Sequence, residues 1–585
     1  MALTKVTNSM IAGADVYAID FGAVDGADNT AAIVAALASI VSGAGAVLHI
    51  PKSIISAVIG VTKADVTITS DGQKISFAAA FTPGAASPTG PDGNNVLFAV
   101  SADRVKFSNC SFNGTDFVTP TSGGMSFLWY AFTGGSAAYG QVDNCYFEDQ
   151  KYLTPANGVA IQGKSGAVGL KITNCTFINC AGSVSGHGQG TVIDNCFSYI
   201  TSAQLTNTAG TTDQAYGLDG CQGGSITNCK VVRASAAAPF SGANIGFNSG
   251  STDFTCANNY ILGLTAGVGL FIRGSSYGSV VGNVISGGDF VSVGVWALAR
   301  IDTDSAQVVF ADNVLKSPPT TTNLGVGLDV YTGGNIVKNN MFALGSATNV
   351  KSGISVREAA TPGVLLIDGN NITCANTGIE LLVVLNGTQP ISLKNNIYAG
   401  LMTTPYNTSA GSNLNIPIYV EQEVYTDPAV MLTYNIPKFL YGFASGQMAN
   451  YLFKINQRSE FYSVVPPSTG AWSYGSWNLG DTCWKANATV GQPVGWKCTV
   501  AGTYGTATEA GTATSGSKVI TALADTSDFN IGDYVNASAG FATLTALTIT
   551  AIVANTSITV NRTANASGAS TLSHLAPTWT AMANL

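Results

Sequence analysis

A phrase returns along this chain at irregular intervals: KFSNCSF ending at Phe112, QVDNCYF at Phe147, KITNCTF at Phe177, TVIDNCF at Phe197 and SITNCKV at Val231. Each is a short apolar or β-branched stretch running into Asn-Cys. The slot continues, with the Cys replaced, near Asn259, Asn283, Asn313, Asn340, Asn371 and Asn396. The anchors Asn109, Asn144, Asn174, Asn195 and Asn228 lie 35, 30, 21 and 33 residues apart. Repeats of this size signal a solenoid, in which each repeat buries its apolar face only against its neighbours. Inward positions then stack like on like. The Cys would form one internal file and the Asn a hydrogen-bonded ladder at the turn, as in stacked identical strands. Both are read as architecture, not chemistry.

The composition agrees. Charged residues make up only 10% of the 585 and Gly numbers 67, poor material for helices and well suited to short strands between tight turns, so the expected class is all-β. A net charge of −8, from 25 cations and 33 acids without a basic stripe, argues against nucleic acid as a partner. Residues 30–50 are uncharged, but Asp15, Asp20, Asp25 and Asp28 precede them and Ser-Gly-Ala-Gly breaks them at 42–45. Neither an export signal nor membrane insertion is expected there. The eleven Cys avoid Cys-x-x-Cys spacing and read as buried thiols, not zinc ligands or disulfides. His49, His187 and His574 stand in separate regions, which disfavours a His-based metal site or a Ser-His-Asp triad. No cofactor and no metal are expected.

Residues 20–51 read DFGA, DG, DNTAAI, an Ala-rich helix, a Gly turn and the strand AVLHIP. Asp28 or Asn29 is the expected cap, with Ile33, Leu37 and Ile40 or Val41 on one face. This run, with the lead-in MIAGADVYAIDFGA, resembles the start of the pectate-lyase-like right-handed parallel β-helix of bacteriophage tailspikes and capsule depolymerases. His49 stands where that family usually has an aromatic residue. The stretch GDTCWKANATVGQPVGWKCTVAGTYGT near 480–506, with the closing TWTAMANL, resembles a C-terminal module of phage tail proteins. The expected organisation is a lead-in or neck at 1–20, a capping helix and first strand at 21–51, the β-helix at 52–400 and a β connector or trimer interface at 401–470. A C-terminal β module at 471–585 completes it, with a β domain inserted at about 507–575. The resemblance further implies a homotrimer on the virion tail, joined to other tail or baseplate proteins. It implies that the homotrimer binds and depolymerises a bacterial surface polysaccharide, capsule or O-antigen.

A second phrase, Gly-apolar-x-apolar-x, runs between the Asn anchors, at 158, 217, 269, 294, 327, 353 and 378, with a looser match at 242. Side chains alternate along a strand, so each x faces outward and stacked coils build two outward columns. The first holds Ala160, Asp219, Asn244, Phe271, Trp296, Asp329, Ser355 and Glu380; the second holds Gln162, Cys221, Gly246, Arg273, Leu298, Tyr331, Arg357 and Leu382. Phe271, Trp296 and Tyr331 are candidate sugar platforms, and Arg273, Arg357 and Asp219 candidate hydroxyl partners. Glycoside hydrolysis needs an acid and a second carboxylate. Asp329 and Glu380, two coils or roughly 10 Å apart, suit the roughly 6.5–9.5 Å carboxyl spacing of an inverting enzyme. Glu358 could replace either, and the loop acids Glu148, Asp149, Asp302 and Asp304 are further candidates. Two alternatives stay open: a non-catalytic receptor-binding fibre, and a polysaccharide lyase using Tyr331 with Arg273 and Arg357.

Overall fold

The computed structural model describes residues 13–82, 95–115, 125–131, 136–150, 159–200, 214–233, 243–264, 268–287, 297–317, 325–331, 333–344, 352–357, 363–374, 377–381, 391–399, 404–408, 418–421, 424–425, 439–440, 452–455, 458–463, 475–485, 489–541 and 546–584. The chain forms two compact units. One holds residues 1–417, 424–433 and 444–446, and the other 418–423, 434–443 and 447–585.

In the first unit successive coils, from Val47–His49 to Thr404–Thr408, each contribute one strand to each of three parallel sheets, fitting the right-handed parallel β-helix expected. One such coil is Lys106–Ser108 in sheet 1, Ser111–Asn113 in sheet 2 and Met125–Tyr130 in sheet 3. The turn between the first two strands is tight because the Asn of each Asn-Cys pair adopts a left-handed conformation, with φ of 52° at Asn109 and Asn144 and 56° at Asn174. Inward side chains stack in register. Phe112, Phe147 and Phe177 pair across sheet 2, with ring centroids 5.0 and 4.9 Å apart. Ile68, Phe107, Val142 and Ile172 do the same in sheet 1. Each fully buried ring contributes about 1.5–3 kcal/mol by leaving water.

The end of the solenoid is covered as expected, by the helix Thr30–Ser39 packed on Ser53–Ala57 and Ile59–Val61. Ile33, Leu37 and Ile40 are buried, while Val41 is 52% exposed and takes no part. Asp28 supplies the cap by accepting from the Thr30 N–H at 3.1 Å; the Asn29 side chain turns inward to Val24 and Ser53. His49 stacks on Tyr17 with centroids 4.6 Å apart, an aromatic contact made by an imidazole. The anchor assigned to Asn371 shifts by one residue: Asn370 fills the buried slot and Asn371 is exposed on the following strand.

In the second unit Leu452–Ile455, Arg458–Ser463, Thr482–Lys485, Gly495–Val500 and Thr578–Ala581 make one sheet. Between its last two strands the chain closes a six-stranded barrel from Thr508–Ala513 to Gly568–His574 around Ile520, Phe529, Val535, Ile549, Ile558 and Leu572. Among the described residues no helix is long and apolar enough to cross a membrane.

Candidate functional site

Sheet 3 differs from its two companions. Strands of sheets 1 and 2 alternate buried and solvent-touching positions, whereas Met125–Tyr130 and Val326–Tyr331 are buried throughout, and Ser352–Arg357 is buried except at Arg357. Its outward groups are therefore largely withdrawn from water. A polar or charged side chain there needs a partner.

The backbone register corrects the outward columns. Gln162, Ser185, Gly217, Gly246, Phe271, Arg300, Asp329, Ser355 and Glu380 form one row. Phe271, Asp329, Ser355 and Glu380 stand together as anticipated, with Asp329 and Glu380 two strands apart. The member between Phe271 and Asp329 is Arg300. Arg300, four residues beyond Trp296, is the one that pairs with Phe271 and Asp329, so counting along the sequence slipped by four residues there. Trp296 and Glu358 lie outside the described residues. Asp219 and Asn244 are displaced by two, since Gly217 and Gly246 occupy their places. Even shifts keep a side chain on the same face. Asp219 accordingly points outward in the second row, beside Asn248. Continued in register, that row carries Arg273, Asp302, Tyr331 and Arg357.

These coils bring one charged cluster together. Asp329 is 1% exposed; its Oδ1 accepts from Arg357 Nε at 2.8 Å and its Oδ2 lies 3.6 Å from Arg300 Nε. Arg300 Nη2 donates to Asp302 at 3.0 Å and to the Tyr331 hydroxyl at 3.3 Å. The Arg300 guanidinium lies 5.8 Å from both the Phe271 and the Tyr331 ring centres, and that of Arg357 lies 6.0 Å from Tyr331, within cation–π range. Burial pushes the Asp329 carboxyl above the ordinary carboxylate range, and Arg357 and Arg300 only partly pull it back. Arg300 moves upward overall: burial opposes its charge, but Asp302, Asp329 and Tyr331 outweigh that. The side chains of Arg300 and Arg357 stay 28% and 25% exposed above the buried carboxylate, and Arg273 is exposed. Tyr331 is 8% exposed; Phe271 and Glu380 are half-buried.

A smaller polar group sits on earlier coils. Ser185 Oγ is 3.3 Å from His187 Nε2, which is 3.9 Å from Asp219 Oδ2. Hydroxyl and acid meet the same ring nitrogen, so this is not the relay of a nucleophilic triad, which needs the acid on the other one. Among the described residues no group of three or more His, Cys, Asp or Glu could hold a metal ion. Sequence reasoning missed Arg300, whose signal was ALARI, an apolar alternation interrupted by one cation.

No family model and no curated protein matches this sequence. Among solved structures the chain is similar to the A-module of a mannuronan C-5 epimerase from Azotobacter vinelandii (13% identity, 71% of this chain and 100% of that one, TM-score 0.42). It is similar to the surface adhesin PfbA of Streptococcus pneumoniae (13%, 70% and 92%, 0.41). It is also similar to the Dettilon tailspike protein (12%, 96% and 94%, 0.42).

Proposed function

We propose that this chain is a phage tailspike that binds a bacterial surface polysaccharide along the outward face of sheet 3 and depolymerises it by glycosidic hydrolysis. It works as a homotrimer on the virion tail. The motifs at residues 11–51 and 478–505 and the parallel β-helix support the tailspike reading. The observation that carries the binding face is the cluster itself. In a chain with 10% charged residues, Phe271, Arg300, Asp329, Tyr331 and Arg357 gather on neighbouring coils. Aromatic faces suit pyranose rings, and guanidinium groups suit hydroxyls and anions.

For cleavage, Asp329 and Glu380 are the proposed acid and base, in either order. An elevated carboxyl pKa is what a general acid requires, and burial raises that of Asp329. Incubation with capsule or O-antigen preparations should yield shortened oligosaccharides, and the Asp329→Asn/Glu380→Gln double variant should lose at least about a hundredfold in rate, as removal of general acid–base groups does. Wild-type cleavage by that variant would defeat the assignment. Absorbance of an unsaturated uronate among the products would instead identify a lyase.

One observation favours a second reading, a non-catalytic receptor-binding fibre. Asp329 is 1% exposed and both its oxygens face guanidinium groups, so it also serves as a buried support for two gripping arginines. Tight binding with no change in glycan length would select that reading.

A further inference from the structure

The chain has seven arginines, and three of them lie along four successive rungs of sheet 3, all outward: Arg273 one residue past the strand Val268–Ile272, and Arg300 and Arg357 on their strands. They differ in how far their donors are used. Arg300 is committed to Asp302 and Tyr331, above Asp329. Arg357 spends its Nε on Asp329, and its two terminal nitrogens make no hydrogen bond among the described residues. Arg273, on the row that leads to Arg357, makes no side-chain hydrogen bond or ion pair among the described residues and is exposed. An arginine presents five N–H donors in a fixed fork. Arg273 and Arg357 therefore offer unused, outward-facing guanidinium edges at two ends of one row, about three rung spacings or roughly 14 Å apart.

In a chain of net charge −8 an acidic polymer is attracted only at local cations, and because Asp302, Asp329 and Glu380 share these rows, the attraction rests on the guanidinium edges those acids leave unused. Hydroxyl groups alone do not require guanidinium groups, since neutral side chains can bind them. Anions do gain from a planar fork, which takes two acceptor oxygens at once. Three arginines without a continuing basic stripe are too few for a nucleic acid, whose affinity rests on many phosphate contacts. We infer that the ligand of this face is an acidic polysaccharide, whose anionic groups, sugar carboxylates or phosphodiesters, are gripped by Arg273 and Arg357 while Phe271 and Tyr331 flank the path between them. This rests on the glycan-binding reading above and narrows its substrate class.

The test is an array of native bacterial capsules and O-antigens of known composition, each also printed after carboxyl reduction and after dephosphorylation. The expected result is binding to an acidic member, weakened at least tenfold by one of the two treatments, which identifies the anion. Arg273→Ala and Arg357→Gln should each weaken it roughly ten- to hundredfold, as loss of a charge-assisted contact does. Lys338→Ala, which removes an exposed cation from sheet 1, should not. Arg273 has no partner to lose, so its variant keeps the fold and isolates the ligand contact. Binding to a neutral glycan that ignores both treatments and both arginine changes overturns the acidic class and leaves glycan binding standing. Binding to no polysaccharide at all overturns both.

Discussion

The same turn of the β-helix is built two ways, by cysteine in the earlier coils and by asparagine in the later ones. At Cys110, Cys175, Cys196 and Cys229 the buried thiol donates to a carbonyl of the preceding coil, that of Ile68, Val142, Ile172 and Ile193 respectively, at 3.4–3.7 Å. At Asn259, Asn283, Asn313, Asn340, Asn370 and Asn396 the amide takes over that bond, reaching the equivalent carbonyl at 2.8–3.0 Å. The carboxamide then adds what a thiol cannot. Its oxygen accepts both the backbone N–H and the side-chain N–H of the preceding slot at 2.9–3.0 Å, so that each Asn is bonded to the next. The handover is visible at Cys229, whose backbone N–H donates to Asn259. One backbone geometry thus accepts either a file of weakly bonded thiols, which touch the preceding coil and one another, or a chain of carboxamides. The difference is one of strength: each carboxamide makes several full-strength bonds to its neighbours, each thiol only weak ones.

The largest expected effect breaks that chain in its middle. Asn313→Ala removes acceptors for two N–H groups of Asn283 and donors to Val280 and Asn340. These buried groups cannot recruit water. A loss of about 3–5 kcal/mol is expected, measured by denaturant unfolding. Cys175→Ala should cost only roughly 1 kcal/mol, the scale of deleting one buried methyl-sized group. Equal losses would mean that the two halves are held in the same way. The thiols also give a direct readout. Burial pushes Cys180 and Cys256 up to about 12, so they remain protonated and unreactive as pH rises from 7 to 10. A thiol reagent should titrate almost none of the eleven cysteines in the native protein and all of them after denaturation.

How much was legible follows from the same contrast. The Asn-Cys phrase placed the coils because its left-handed Asn and its buried Cys sit on a turn too tight to vary, and the single internal file of Cys followed from it. The slot was lost by one residue at Asn371 because GNN offers two asparagines and only the register tells them apart. Sheet 3 was harder. Its strands are reached through long connections of unequal length, so the Gly-apolar-x phrase has no fixed distance from the turn. Phe271, Asp329 and Glu380 were aligned correctly, while Arg300 was passed over in favour of Trp296. That error hid the residue through which Asp302, Asp329, Phe271 and Tyr331 meet.

The smallest effect concerns what the two halves share. The residue before the buried slot is left-handed in both: Asn109, Asn144, Asn174, Asn195 and Asn228, then Asn258, Gly282, Asp312, Asn339, Gly369 and Asn395. These side chains also bond along the surface, Asn195 to Asn174 at 2.8 Å and Asn395 to Asp368 at 2.9 Å, so either the backbone angle or the outer ladder could be what this position needs. Gly282 and Gly369 have no side chain to contribute to a ladder, which points to the angle. Asn144 is exposed, so substitution there leaves the core untouched. Asn144→Ala should cost about 1–2 kcal/mol, since Cβ crowds the following carbonyl at φ of 52°. Asn144→Gly relieves that crowding; if the exposed bond from its amide to Asn109 contributes little, the change costs less than about 1 kcal/mol, the conformational-entropy penalty of glycine. If glycine proves as damaging as alanine, the surface ladder and not the backbone angle holds the turn.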